Sequence, residues 1–190
     1  MSPLPQLPAD FQLALASMRA ARCRPELALA EVPAPARLAP FGVAMGAEII
    51  LDGEELATGR FIVLHDPQGS SLWDGTFRIV TYVRAQLEAD MGNDSLLGNV
   101  AWAWLIEALE ERDARYTSAG GTATRILSES YGTLAARPDA IDIELRASWT
   151  PSGTLISPHL EAWTNMMATF AGLPPVPDGV TLLQRPRQPR

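Results

Sequence analysis

The sequence predicts an α+β domain: a mainly antiparallel sheet covered by helices, in the order helix, strands, helix, strands, helix. Apolar residues recur with helical spacing in separate segments, while several short runs rich in β-branched residues alternate with a period of two. The strands come in blocks instead of alternating one for one with helices. Blocks of this kind are typical of antiparallel sheets and differ from the pattern of a doubly wound parallel sheet.

Length and composition favour a single domain. The chain has 190 residues, of which 47% are hydrophobic and 19% charged, and no internal repeat is evident. We expect a flexible N-terminus over residues 1–8, one α+β domain over 9–183 and a flexible basic tail over 184–190, which reads "QRPRQPR".

The first element is predicted to be a helix that Asp10 caps and that runs to about Cys23. Its apolar face consists of Phe11, Ala14, Leu15 and Met18. From Gly46 onward short β-rich runs follow, "AEIIL" and "GRFIVLH", with the favoured hairpin turn Asp52-Gly53 between them. A further strand is predicted in "TFRIVTYV" and a short helix in "RAQLEADMG", ending at Gly92.

The second half of the chain has a broad apolar helix at its start. In "DSLLGNVAWAWLIEALEERD" either Asp94 or Ser95 is expected to cap the helix, and a wide apolar stripe predicts deep burial. The segments "ARYTS" and "TATRILSESY" predict a hairpin around Ala119-Gly120-Gly121, and "AIDIELRASWT" alternates as a strand with one buried face. Ser157 as cap, Pro158 at the first position and Gly172 after the end bracket the last helix.

A histidine and an aspartate stand side by side at the end of one predicted strand. In "HDPQG" the residues after His65 are those that a type I β-turn prefers, which makes His65 the last strand residue and Asp66 a turn residue. The functional alternative makes His65 a general base or metal ligand that Asp66 orients. His65 and Asp66 are therefore the candidate catalytic residues of the chain.

Other signals for catalysis, a metal or a cofactor are weak. Zinc sites usually have three or four His or Cys ligands, and the chain offers only His159 and Cys23 besides His65. The sequence contains no G-x-S-x-G elbow, Walker A loop, dinucleotide-binding glycine pattern or C-x-x-C pair. We expect no cofactor and no metal, and the sequence favours a protein that is not an enzyme.

Arginines in the predicted strands are the other candidate contacts. Arg60, Arg78 and Arg146, with Trp73 on a loop, are possible contacts to an anion or a protein partner. The alternative is a polar sheet face on which arginines pair with carboxylates of neighbouring strands, such as Asp142.

Charge and cysteine content bear on partners and location. A net charge of -7 disfavours binding to nucleic acid, because phosphate recognition needs clustered cations. No apolar run is long enough to span a membrane, and the N-terminus lacks the pattern of a secretory signal. The single cysteine suits a reducing compartment, so we expect a cytoplasmic protein.

The chain as a whole resembles an actinobacterial family defined by a domain of unknown function, number 3000. The resemblance runs from about Phe11 to Leu183, through "RLAPFGVAMGAEI", "ELATGRFIVLHDPQG", "WDGTFRIVTYVRAQLE", "VAWAWLIEAL", "ELRASWTP" and "AGLPPVPDGV". It implies no catalytic residue, substrate or cofactor, and it adds that genes of this family can lie beside one for an exonuclease resembling ribonuclease D.

Three functions follow as hypotheses. The first is a non-catalytic cytoplasmic protein that binds a protein partner or itself, which predicts an exposed apolar patch or an uncovered sheet edge. The second is an enzyme or a binder of small anions centred on His65, Asp66 and nearby arginines. The third is an accessory factor in RNA processing that uses the basic tail.

Overall fold

The computed structural model describes residues 7–87 and 96–175. These residues form α1 (Ala9–Ala20), β1 (Leu27–Val32), β2 (Phe41–Leu51), β3 (Glu54–Ser70), β4 (Gly75–Leu87), α2 (Leu97–Glu111), β5 (Tyr116–Ser128), a 3-10 turn (Gly132–Leu134), β6 (Ala140–Pro151) and α3 (Ser157–Phe170). The predicted order of helices and strands is confirmed. The predicted tail over 184–190 and most of the predicted N-terminal segment lie outside the described residues.

The strands form one antiparallel sheet in the order β1-β2-β3-β4-β6-β5. This confirms the predicted fold class. The Asp52-Gly53 turn joins β2 to β3 with φ values of 52° and 87°, as a two-residue hairpin with both central residues left-handed requires. Because β6 lies between β4 and β5, the two strands at the edges of the sheet are β1 and β5.

All three helices pack on one face of the sheet and form the core with it. Phe61, Ile79 and Trp149 from neighbouring strands are fully buried there, together with Trp163 of α3. α3 approaches β3 closely at Gly59, where an added Cβ would lie 2.7 Å from the Trp163 ring. A side chain at that position would therefore force the helix away from the sheet.

The chain reverses between β3 and β4 later than the sequence predicts. The expected turn at "DPQG" is wrong: residues 66–69 form a bulge in β3, and the reversal occurs between Ser70 and Gly75. The ladder pairs His65 with Phe77 and resumes where Ser70 pairs with Gly75. The four residues 66–69 of β3 therefore oppose the single residue Thr76 of β4. Turn-forming residues here shape a bulge because the strand pairing continues beyond them.

The expected hairpin at Ala119-Gly120-Gly121 is also wrong. β5 runs through these residues as one strand with a bulge between Thr117 and Gly120. Gly121 is needed where β5 meets α2, because an added Cβ would lie 2.9 Å from the Trp102 ring. Gly121 thus permits close packing, which a local reading mistakes for a turn.

The predicted short helix in "RAQLEADMG" is wrong in its described part. Arg84 to Leu87 continue β4, because Ala85 and Leu87 face the core opposite Ile143 and Ile141. The remaining residues of that segment, and the predicted caps Asp94 and Ser95, lie outside the described residues.

Two predicted helix caps differ from the structure. α1 begins after Pro8 and ends at Ala20, so Asp10 lies in its first turn, where a carboxylate suits the helix dipole without capping. Ser157 does not cap α3 either. Instead the hydroxyl oxygen of Ser17, in α1, accepts hydrogen bonds from the backbone N–H groups of Ile156 and Ser157, both at 2.9 Å. The cap therefore comes from a different helix.

No helix within the described residues is long and apolar enough to cross a membrane.

Candidate functional site

The His65 imidazole is buried among three phenylalanines. It is 2% exposed and stacks on Phe77 with ring centroids 4.2 Å apart, while Phe11 and Phe41 lie at 5.8 and 6.2 Å. Nδ1 lies 3.0 Å from the carbonyl oxygen of Thr76. Since a carbonyl only accepts, Nδ1 donates this hydrogen bond. Nε2 is buried with no hydrogen-bond partner among the described residues.

Asp66 serves the backbone of its own bulge. Its Oδ1 accepts a hydrogen bond of 3.0 Å from the N–H of Gln68, the geometry of an Asx turn. Consecutive strand residues face opposite sides of a sheet, and the structure shows no hydrogen bond between the side chains of His65 and Asp66. The two neighbours in sequence thus lie in different surroundings.

His159 is buried at the start of α3, far along the chain from His65. Its Nδ1 accepts a hydrogen bond of 3.0 Å from the indole N–H of Trp149. Burial lowers the pKa of His159 to about 4, because a charged imidazolium would lose its hydration there. Over residues 7–87 and 96–175 no group of three or more His, Cys, Asp or Glu side chains is placed to hold a metal ion.

The face of the sheet opposite the helices, which we call the open face, carries the predicted arginines. Arg84 binds Asp142 at 2.6 Å, and Arg146 lies 3.4 Å from Glu144 with its guanidinium 5.5 Å from the centre of the Tyr82 ring. The Arg84–Asp142 contact is a cross-strand pair of the kind that the alternative reading describes, whereas Arg146 and Glu144 lie on the same strand.

Tyr82 is tied to the same group of side chains. Its hydroxyl donates a hydrogen bond of 3.0 Å to Glu144. Burial, followed by this bond to a negative group, raises the pKa of the Tyr82 phenol. The hydroxyl therefore stays protonated at neutral pH and acts as a donor.

Arg78 differs from these arginines because its acceptors are uncharged. Its guanidinium donates to the hydroxyls of Ser148 and Thr150 at 2.7 and 3.1 Å and to the carbonyl oxygen of Ser118 at 2.8 Å. Ser118 lies in the bulge of β5 with a φ of 52°. Arg78 thus binds three strands together and fixes the conformation of the bulge. Burial lowers its pKa.

Arg60 lies on β3, opposite Tyr82 of β4, and is exposed. No ion pair or hydrogen bond involves its guanidinium within the described part of the chain. Arg60 and Arg78 are four positions apart along the ladder, since Arg78 pairs with Leu64. The structure therefore does not bring the predicted arginines together in one pocket.

A shallow groove of about 510 Å³ lies at one end of the open face. The charged groups of the Arg84 and Asp142 pair are part of its wall, together with Thr58, Tyr82 and Gln86. The guanidinium is already neutralised by a carboxylate in that wall. The groove consequently offers polar contacts without a free cation for an anionic ligand.

Trp73 lies in the β3–β4 turn and is half-buried. Its carbonyl oxygen accepts a hydrogen bond from the hydroxyl of Thr150, which fixes the turn to β6. Its side chain lines a second shallow groove with Leu38 and with Leu72, which is 88% exposed. Asp66 is part of this groove, whereas His65 is not.

The longest uncovered backbone of the described sheet belongs to β5. The strand has 13 residues, ten of them exposed, and pairs with β6 on one side only. Arg125 is its single charged residue, and it contains no proline. The sequence prediction missed this edge because it divided β5 at the two glycines. The stretch of small residues without a turn-forming Asn or Asp is the signal that favours one strand there.

The other edge, β1, is shorter and better protected. It has six residues, includes the exposed Glu31 and is followed directly by Pro33. Charge, proline and short length are the features by which natural sheets protect their edges. The two edges of this sheet therefore differ in how readily they accept another strand.

The comparisons with known proteins assign the chain to a family, but that family has no described activity. No curated protein and no solved structure matches the chain. A family model, described as protein of unknown function (DUF3000), matches residues 7–181. This range includes every described residue of the sheet and the helices. The chain therefore belongs to the DUF3000 family of proteins of unknown function.

Proposed function

We propose that this is a non-catalytic cytoplasmic protein that acts by protein–protein association, with the β5 edge as its contact. The observation that carries the proposal is a 13-residue edge strand with ten exposed residues. Such an edge presents a row of N–H and C=O groups that an extended partner segment can bind as an additional strand. The cytoplasmic location is supported by the single cysteine of the chain.

The bulge leaves the larger part of the edge regular. After the shift between Thr117 and Gly120, residues 120–128 pair with β6 without interruption. Nine residues in extended conformation span ~30 Å, which is longer than most strands in globular proteins. A partner strand can therefore form several backbone hydrogen bonds along this stretch.

Photo-cross-linking in living cells tests the proposal. A photoreactive residue replaces Thr124, which is exposed in the middle of the regular stretch, and in a control protein it replaces Ala30, which is exposed on β1. We expect a discrete adduct from position 124, mapped to an extended segment of the partner, and loss of that adduct when Ala123→Pro blocks the edge. Equal adducts from both positions, or none from position 124, would contradict the proposal.

A second candidate function is anion binding on the open face. Within the described residues Arg78 has only uncharged acceptors and Arg60 has no ion pair, so no carboxylate of this part of the chain neutralises either guanidinium. Titration with inorganic phosphate, followed by NMR, tests this function. Saturable shifts at the neighbouring Tyr82 that disappear in Arg60→Gln support it, and a linear response without saturation contradicts it.

A further inference from the structure

We propose that the partner strand is the β5 of a second copy of this chain, paired antiparallel about a two-fold axis that passes through Thr124. This inference rests on the proposed function of the β5 edge. It specifies both the partner and the register of the pairing.

Antiparallel geometry restricts where such an axis can lie. In an antiparallel pair, directly opposed residues either both point their backbone N–H and C=O groups at the partner strand or both point them away. These two states alternate along a strand. An even-numbered residue of the regular stretch must therefore oppose an even-numbered residue of the second copy, and an odd-numbered residue must oppose an odd-numbered one. The axis of a symmetric pair consequently passes through one residue, which opposes its own copy.

The regular stretch selects Thr124 as that residue. Residues 120–128 are nine in number, and Thr124 is the middle one. An axis there uses the whole stretch on both strands. An axis through Arg125 would pair only residues 122–128 of the stretch. An axis through Ala123 would extend the pairing into the bulge at Ser118.

The side chains of the stretch complement each other in this register. The first half, "GGTA", is small, and the second half after Thr124, "RILS", contains the large residues. On the helix-covered face Leu127, which is 61% exposed, would lie beside Gly121 of the second copy and against the Trp102 ring that covers this glycine, and Arg125 would lie beside Ala123. On the open face Ile126 would lie beside Thr122 of the second copy.

The centre of the pairing is favourable as well. Thr124 would meet Thr124 of the second copy, and threonine pairs are among the stabilising cross-strand pairs. In each of the four pairs away from the axis a larger side chain therefore meets a smaller one, as close packing of two strands requires. This self-complementarity is the reason to infer a second copy as the partner.

Electrostatics predict how this association depends on salt. Each chain has a net charge of -7, while the regular stretch carries only one charged residue. Two copies therefore repel each other overall without a compensating attraction at the contact. Since salt screens this repulsion, the dimer is expected to become stronger as ionic strength rises.

Disulfide cross-linking tests the register. In a Cys23→Ala background we compare Thr124→Cys with the matched control Thr122→Cys, since both residues are exposed and lie on the same face of β5. Directly opposed Cα atoms lie about 4.5 to 5.5 Å apart, within the range of a disulfide. The two copies of residue 122 would be ~13 Å apart, which is beyond that range.

We expect at least tenfold more disulfide-linked dimer from Thr124→Cys than from Thr122→Cys under mild oxidation. We also expect Thr124→Lys, with circular dichroism unchanged, to sediment as a monomer at concentrations where the wild type is dimeric. Equal cross-linking at both positions, or a wild type that is monomeric at all concentrations and salt levels, would overturn the inference. If an adduct to another protein still forms from position 124, only the self-pairing is wrong. If it does not, the proposed function is wrong too.

Discussion

Acidification should destabilise the fold through His159. The pKa of this imidazole is about 4 in the folded protein and near 6.5 when it is exposed. Between these values the unfolded chain binds a proton that the folded chain does not, so unfolding is favoured as the pH falls. The stabilisation is complete above about pH 6.5 and is lost progressively down to about pH 4.

The size of the effect follows from the same two pKa values. A depression from 6.5 to about 4 corresponds to about 3 kcal/mol of unfolding free energy when the loss is complete, and to about 2 kcal/mol at pH 5. The physical cause is burial beside Trp149, whose indole N–H uses the lone pair that a proton would occupy.

Urea unfolding at one fixed protein concentration, at several pH values between about 4.5 and 7.5, measures this effect. The matched variant is His159→Gln, whose amide oxygen can still accept from the Trp149 indole N–H but does not titrate in this range. Titration of all other groups is common to both proteins and cancels in the difference between them. We expect the advantage of the wild type to shrink by about 2 kcal/mol between pH 7 and pH 5. Parallel stability curves for the two proteins would refute the reasoning.

Two further pairs of substitutions test how α3 is held in place, the first through its packing on the sheet and the second through its N-terminal cap. Gly59→Ala should lower the unfolding free energy by about 2 kcal/mol, because its Cβ would lie 2.7 Å from Trp163, whereas Gly120→Ala, with open space around its Cβ, should change it by less than about 0.5 kcal/mol. Ser17→Ala should cost about 1 kcal/mol because it removes the cap of α3, and the neighbouring Ser157→Ala should cost less. Thermal unfolding compares both pairs, and equal losses within either pair would contradict the explanation given for it.

The fold could be predicted from local patterns because those patterns match how the chain packs. The alternation in "AIDIELRASWT" predicts β6, whose alternate residues Ile141 to Trp149 are buried against the helices. The Asp52-Gly53 pair predicts its hairpin because both residues take the left-handed conformation that this turn needs. In each case one local requirement determines the structure.

The errors arose where distant parts of the chain decide the local structure. "DPQG" has the residues of a turn, yet pairing between β3 and β4 continues beyond it. Gly121 of β5 is explained by the Trp102 ring that lies against it. The cap of α3 comes from Ser17, which is 140 positions away from Ser157. None of these relations is visible in a short window of sequence.

For the candidate site, the sequence located the arginines on strands and offered Asp142 as a possible partner, but it did not show which arginine pairs with Asp142. The pairing of Arg84 with Asp142 and the contacts of Arg78 with β5 and β6 depend on strand order. β6 pairs with both β4 and β5, although it follows β5 in the chain. The same crossover leaves β5 at the edge, which is why the proposed contact could not be found from local patterns.

Amide hydrogen exchange, resolved by NMR and measured at low and high protein concentration, tests most directly whether the β5 edges of two copies pair with each other. In an edge strand, alternate N–H groups point away from the sheet and exchange quickly unless another strand binds them. We predict that the outward amides within residues 120–128 become protected as concentration rises, while those of β1 do not. Fast exchange of the outward β5 amides at every concentration, or equal protection of both edges, would contradict the account.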